Sequence, residues 1–89
     1  MQGATYTIQE LASAMQIYHT NIESAQVFDI QAICAEVCLF KDAHISDPEY
    51  SDTLRLANDM AQQCIEATTV AMVKSRFESC YACIKAMSS

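Results

Sequence analysis

The chain contains a single glycine, Gly3, and a single proline, Pro48, among its 89 residues. A sheet of short strands needs several tight turns, which glycine, proline, Asn-Gly or Asp-Gly normally supply. Neither dipeptide occurs here, whereas the helix-favouring residues Ala, Gln, Glu, Met and Leu are plentiful. The sequence therefore predicts an all-α fold.

Length and composition predict one packed domain. Apolar residues make up 52% of the chain and charged residues 18%, which is typical of a globular protein and not of a disordered segment. A chain of this length has enough apolar side chains for one core and too few for two. We expect a single helical domain over residues 1–89.

Helix starts are indicated by possible capping boxes, in which Ser or Thr caps the backbone and Glu three residues later reaches back. The pairs are Thr7 with Glu10, Thr20 with Glu23, Ser46 with Glu49, and Ser75 with Glu78. Pro48 strengthens the third boundary, because proline disfavours helix in the residue before it. The predicted helices cover residues 7–18, 21–43, 48–73 and 76–87.

Apolar side chains recur at three- and four-residue steps in each segment. The second segment has the broadest apolar arc and is expected to be the central helix. We expect a small bundle of three to four helices around a central antiparallel hairpin that turns between Ser46 and Pro48. If Thr20 and Ser75 do not break their helices, the alternative is one long helical hairpin that dimerises.

The charge distribution argues against nucleic-acid and anionic-membrane partners. The net charge is −6, and residues 1–40 contain four acids and no Lys or Arg. Binding to phosphates depends on a dense basic face, which this chain lacks. No apolar run is long enough to span a bilayer, and the N-terminus lacks a signal-peptide pattern. The odd number of cysteines, five, fits reduced thiols and a cytoplasmic location.

The cysteines are the strongest candidates for chemistry. Cys34 and Cys38 are four residues apart and Cys80 and Cys83 three apart, so each pair shares one side of a helix. Four thiolates of this kind suit Cu(I) or Zn(II). The stretches ICAEVC and CYACIKAM resemble short pieces of the four-helix-bundle copper-binding proteins, although that family has many more cysteines in its core. The other interpretation is that the thiols pack as small apolar side chains.

No catalytic constellation is indicated. His19 and His44 are isolated, each near the end of a predicted helix, where histidine interacts favourably with the helix dipole. Neither accompanies a nucleophile motif, and a chain with one glycine cannot form a glycine-rich phosphate loop. We expect neither enzymatic activity nor a cofactor.

The C-terminal segment carries an apolar stripe with heptad spacing that can dock against another helix. Its candidate partner-binding residues are Val73, Phe77, Tyr81, Ile84 and Met87. That other helix belongs either to the same chain or to a partner, and the sequence leaves both open. A helical hairpin that turns at Asp47-Pro48 also resembles the layout of type III secretion needle and inner-rod subunits. The resulting hypothesis is a non-enzymatic helical interaction module that binds another protein or itself; the alternative is a thiolate metal-binding protein.

Overall fold

Four helices follow one another in a computed structural model, which describes residues 6–89. They are α1 (Ile8–Thr20), α2 (Val27–His44), α3 (Ser51–Glu66) and α4 (Val70–Ser88). No strand occurs in this range. The all-α fold is confirmed as a four-helix bundle, and the chain does not form the long two-armed hairpin, because it breaks both after Thr20 and after Glu66.

The first two predicted boundaries have different outcomes. Thr7 and Glu10 form the expected capping box, since each side chain accepts a hydrogen bond from the other's backbone N–H, at 3.1 and 2.9 Å. Thr20 marks a real break, but it ends α1 and does not cap the next helix. Asn21 closes α1 by donating its side-chain amide to the Ile17 carbonyl, and α2 begins six residues later than Asn21.

The turn between Ser46 and Pro48 is confirmed, although its chemistry differs from the predicted capping box. Asp47, and not Ser46, accepts the backbone N–H of Glu49 through its carboxylate, at 3.1 Å. A short Asp side chain commonly stabilises a turn in this way. The turn therefore extends beyond Pro48, and α3 begins at Ser51.

The predicted boundary at Ser75 is wrong, because α3 and α4 separate at residues 67–69. Ala67 is extended, and the Thr69 hydroxyl accepts the backbone N–H of Met72 at 3.2 Å, which caps α4. Ser75 lies inside α4.

The helices pack mainly as antiparallel neighbours. Gln31, near the start of α2, donates to the carbonyls of Cys64 and Ile65 at the end of α3. Lys74, near the start of α4, donates to the Glu23 carbonyl just after the end of α1. α4 has the most extensive contacts with the rest of the bundle, whereas α2 touches α1 only narrowly. The sequence predicts α2 as the central helix, and this prediction is wrong. The central helix is α4.

The core takes side chains from all four helices. Its buried members are Ile8, Leu11, Met15, Ile30, Ile33, Cys34, Val37, Phe40, Leu54, Ala57, Ala61, Cys64, Val73, Phe77, Cys80, Tyr81 and Ile84. Within the described range, no helix is both long enough and apolar enough to cross a membrane.

Candidate functional site

The C-terminal stripe lies in the chain's own core. Val73, Phe77 and Ile84 have almost no exposed surface, Tyr81 is buried, and Met87 is half-buried against the core. The structure therefore selects the intramolecular alternative for this stripe. As folded, these five side chains close the bundle and do not form an exposed docking face, because α1, α2 and α3 already cover α4.

Three of the five thiols meet in the core, one from each of α2, α3 and α4. The Cys34 thiol lies beside those of Cys64 and Cys80. The interaction with Cys64 acts to lower the pKa of Cys34, but the interaction with Cys80 and burial outweigh it and raise that pKa above its usual 9.0. The interaction with Cys34, followed by burial, raises the pKa of Cys64. Cys34 and Cys64 are therefore protonated at neutral pH, and all three thiols pack as small apolar groups.

The four cysteines proposed as metal ligands are only partly brought together. Cys34 and Cys80 are neighbours, but their third companion is Cys64 and not Cys38 or Cys83. Cys38 and Cys83 are half-buried, and burial raises the pKa of each. In residues 6–89, no three His, Cys, Asp or Glu side chains are arranged to hold a metal ion.

Each histidine packs against an aromatic ring. His19 stacks on Tyr81, with 4.7 Å between ring centroids, and its Nδ1 lies 2.8 Å from a Glu78 carboxylate oxygen. His44 stacks on Phe40 at 4.3 Å. These contacts tie the ends of α1 and α2 to the bundle. Neither histidine is paired with a thiol or hydroxyl nucleophile in the described hydrogen-bond network.

The most unusual surface of the bundle is a strip on α2, which we call the outward face and define as Phe28, Ala32, Ala35 and Leu39. All four residues are exposed, Phe28 to 84% and Leu39 to 46%. Their four-, three- and four-residue spacing places them in one row along the helix. α2 thus has a second apolar side, opposite the buried Ile30, Cys34 and Val37.

A groove borders the outward face on the side of α1. It has a volume of about 460 Å³, and its lining is aromatic, acidic and apolar: Tyr6, Tyr18, Asp29, Ala32, Ile33 and Glu36. Ala32 belongs to both the groove and the outward face. The outward face and the groove therefore form one continuous surface, which we take as the candidate site.

Sequence analysis missed this site, although one signal pointed towards it. The broad apolar arc of residues 27–45 is wider than one core-facing stripe requires. A central position in the bundle is one explanation of the extra width. The other explanation is that α2 has one apolar face in the core and a second apolar face exposed to solvent. The sequence does not distinguish the two, because the difference depends on how the other helices pack.

Comparison of the chain with protein-family models, curated proteins and solved structures finds no match, so the candidate site is defined by its own geometry.

Proposed function

We propose that this protein is a non-enzymatic helical interaction module that binds another protein through the outward face of α2. The observation that carries the proposal is the exposure of Phe28 to 84%, in a row with Leu39 and two alanines. Aromatic side chains that are left in water in such a row are typical anchors of protein interfaces. Alanines between them allow a partner helix to approach closely.

The apolar character of both sides of α2 supports the same proposal. A helix that is apolar on all sides is normally covered on all sides. Here the bundle covers the side of Ile30, Val37 and Phe40 and leaves the side of Phe28 in water. A partner that covers Phe28 and Leu39 would remove both from water, and each anchor of this size contributes on the order of 2 kcal/mol when it is buried.

The environment of the nucleophilic groups supports a non-enzymatic role. Cys34 and Cys64 are buried, and their raised pKa values keep the thiolate form scarce at neutral pH. His19 and His44 are engaged with aromatic rings. Five thiols without disulfides fit a reducing compartment, and we propose the cytoplasm as the place of action.

The test compares three tagged chains purified from the source cells: wild type, Phe28→Ala/Leu39→Ala, and Leu56→Ala. Leu56 is 52% exposed on α3, a different helix from the one that carries the outward face, and is the matched control. We expect proteins that co-purify with the wild type and the control to be reduced at least about tenfold with the double variant, because interface anchors carry most of the binding energy. Equal recovery with all three chains, or a chain that binds nothing, would contradict the proposal.

A further inference from the structure

The partner's chemistry can be inferred from the charges that border the outward face. We propose that the partner segment is an amphipathic helix with Lys or Arg along one edge, and that one of these side chains enters the groove between α1 and α2. This inference rests on the proposed function, because it names the partner of the same surface.

The first argument is the placement of the acids. At about 100° per residue, Asp29 and Glu36 project from the same side of α2 and lie along one edge of the outward face. Both line the groove, and neither forms an ion pair within residues 6–89. The apolar row is thus bordered by two uncompensated negative charges, which favour a basic partner.

The second argument is the pair of tyrosines that complete the groove. Tyr6 precedes α1 and Tyr18 lies in its last turns; both are half-buried, and both line the groove with Asp29 and Glu36. A Lys ammonium or Arg guanidinium is attracted both by carboxylates and by the faces of aromatic rings. The long apolar stem of either side chain can pass over Ala32 while its charge remains in the groove.

The third argument excludes a second copy of the chain as the preferred occupant. The protein carries a net charge of −6, so pairing of two copies brings like charges together. The only Lys or Arg of α2, Lys41, is paired with Asp42 at 3.3 Å and lines a different cleft with Arg55. A second outward face therefore offers no cation to Asp29 and Glu36.

The outward face also sets the size of the partner segment. Phe28 and Leu39 are eleven residues apart, which corresponds to about 17 Å along the helix axis. A partner helix of about four turns covers this length with its ends free. It needs an apolar row opposite Phe28 and Leu39, and a basic edge opposite Asp29 and Glu36.

The experiment uses the full chain and two synthetic helical peptides of about 18 residues that share one Leu/Ala face. One peptide carries Lys along its edges and the other carries Glu. Titration calorimetry at low and high salt measures both affinities, and backbone amide shifts locate the contact. We expect the Lys peptide to bind at α2 more tightly than the Glu peptide, by about 3- to 10-fold, with the difference shrinking at high salt.

Charge variants separate this inference from the proposed function. Asp29→Asn/Glu36→Gln should remove the preference for Lys, whereas Asp59→Asn, an exposed acid on α3, should leave it unchanged. Equal binding of both peptides at the outward face overturns the basic partner and leaves the interaction role intact. A homodimer of the wild-type protein that does not form with Phe28→Ala would likewise overturn the basic partner and leave the interaction role intact. Failure of both peptides to bind, or binding that Phe28→Ala/Leu39→Ala does not weaken, overturns both proposals.

Discussion

Single cysteines in this protein differ in what surrounds them, and this difference predicts their reactivity. Cys34, Cys64 and Cys80 are buried together, while Cys38 and Cys83 retain some exposure. We expect a thiol reagent to label Cys38 and Cys83 first in the native protein, and the other three only as the bundle opens. Mass spectrometry of timed samples measures this order, and denatured protein, in which all five should react alike, is the control. Rapid native labelling of Cys34 would contradict the packing.

The raised thiol pKa values predict a loss of stability at alkaline pH. A group whose pKa is higher in the folded than in the unfolded chain stabilises the fold fully below the unfolded value and loses that contribution as the pH rises. Because the usual value is 9.0, the free energy of unfolding should fall above about pH 9, by at most about 1.4 kcal/mol per pH unit for each group.

Urea unfolding between pH 8 and 10.5 measures this slope. Cys34→Ala should flatten this slope more than Cys83→Ala, because neighbouring thiols as well as burial raise the pKa of Cys34, whereas burial alone raises that of Cys83. Equal slopes in the two variants would show that Cys34 ionises normally.

Burial of Cys34, Cys64 and Cys80 follows from the sequence, since each lies on an apolar stripe. Which thiols become neighbours does not follow. The four-residue spacing within α2 places Cys34 and Cys38 on the same side of that helix. The contact between Cys34 and Cys64 depends instead on the rotation and offset of α2 against α3. Those quantities come from packing of the whole bundle and leave no local signal.

At the scale of the helices, a start marked by a two-sided capping box, as in α1, is predictable from the sequence, whereas the one-sided cap of α4 is not. Thr7 with Glu10 is such a box. Thr69 caps α4 alone, because the third residue of that helix is Met72 and not Glu or Gln. A search for two-sided capping boxes therefore favours Ser75 with Glu78. This pair matches the sequence pattern of a capping box, but it lies inside the continuous helix α4.

Two threonine and serine variants test this boundary. Thr69→Ala should destabilise the protein by about 1 kcal/mol, because the Met72 amide loses its acceptor. Ser75→Ala should change the free energy of unfolding by no more than about 0.5 kcal/mol, because Ser75 is exposed inside α4. Chemical denaturation of both variants gives the comparison. A larger cost at Ser75 would restore the boundary predicted from the sequence.

A pair of proline substitutions tests the position of α2 and α4. Val37 is buried in the middle of α2, where proline removes a backbone hydrogen bond and costs about 3 kcal/mol or more, so Val37→Pro should unfold the domain. Val70 is the first residue of α4 and is 56% exposed, so Val70→Pro should be tolerated. Circular dichroism distinguishes the two. A folded Val37→Pro protein would show that α2 is misplaced.

At the scale of the whole molecule, the bundle has two apolar helix faces, and the sequence alone does not show which of them is buried in the core. The stripe of α4 with Phe77 and Ile84 has heptad spacing and resembles an interface, yet it closes the core. The row on α2 with Phe28 and Leu39 is interrupted by alanines, which the sequence suggests only as helix formers. Burial of one face and exposure of the other follow from how four helices share one core.

Two phenylalanines provide the most direct measurement of this account, which holds that α4 closes the core and that the outward face of α2 is free for a partner. Phe77→Ala should lower the free energy of unfolding of the isolated chain by about 3 to 5 kcal/mol, because the ring is fully buried. Phe28→Ala, at a side chain 84% exposed, should change it by no more than about 0.5 kcal/mol. Urea unfolding of both variants at low protein concentration gives the two values. Equal destabilisation by the two substitutions, or a larger loss with Phe28→Ala, would show that the outward face belongs to the core and would contradict the account.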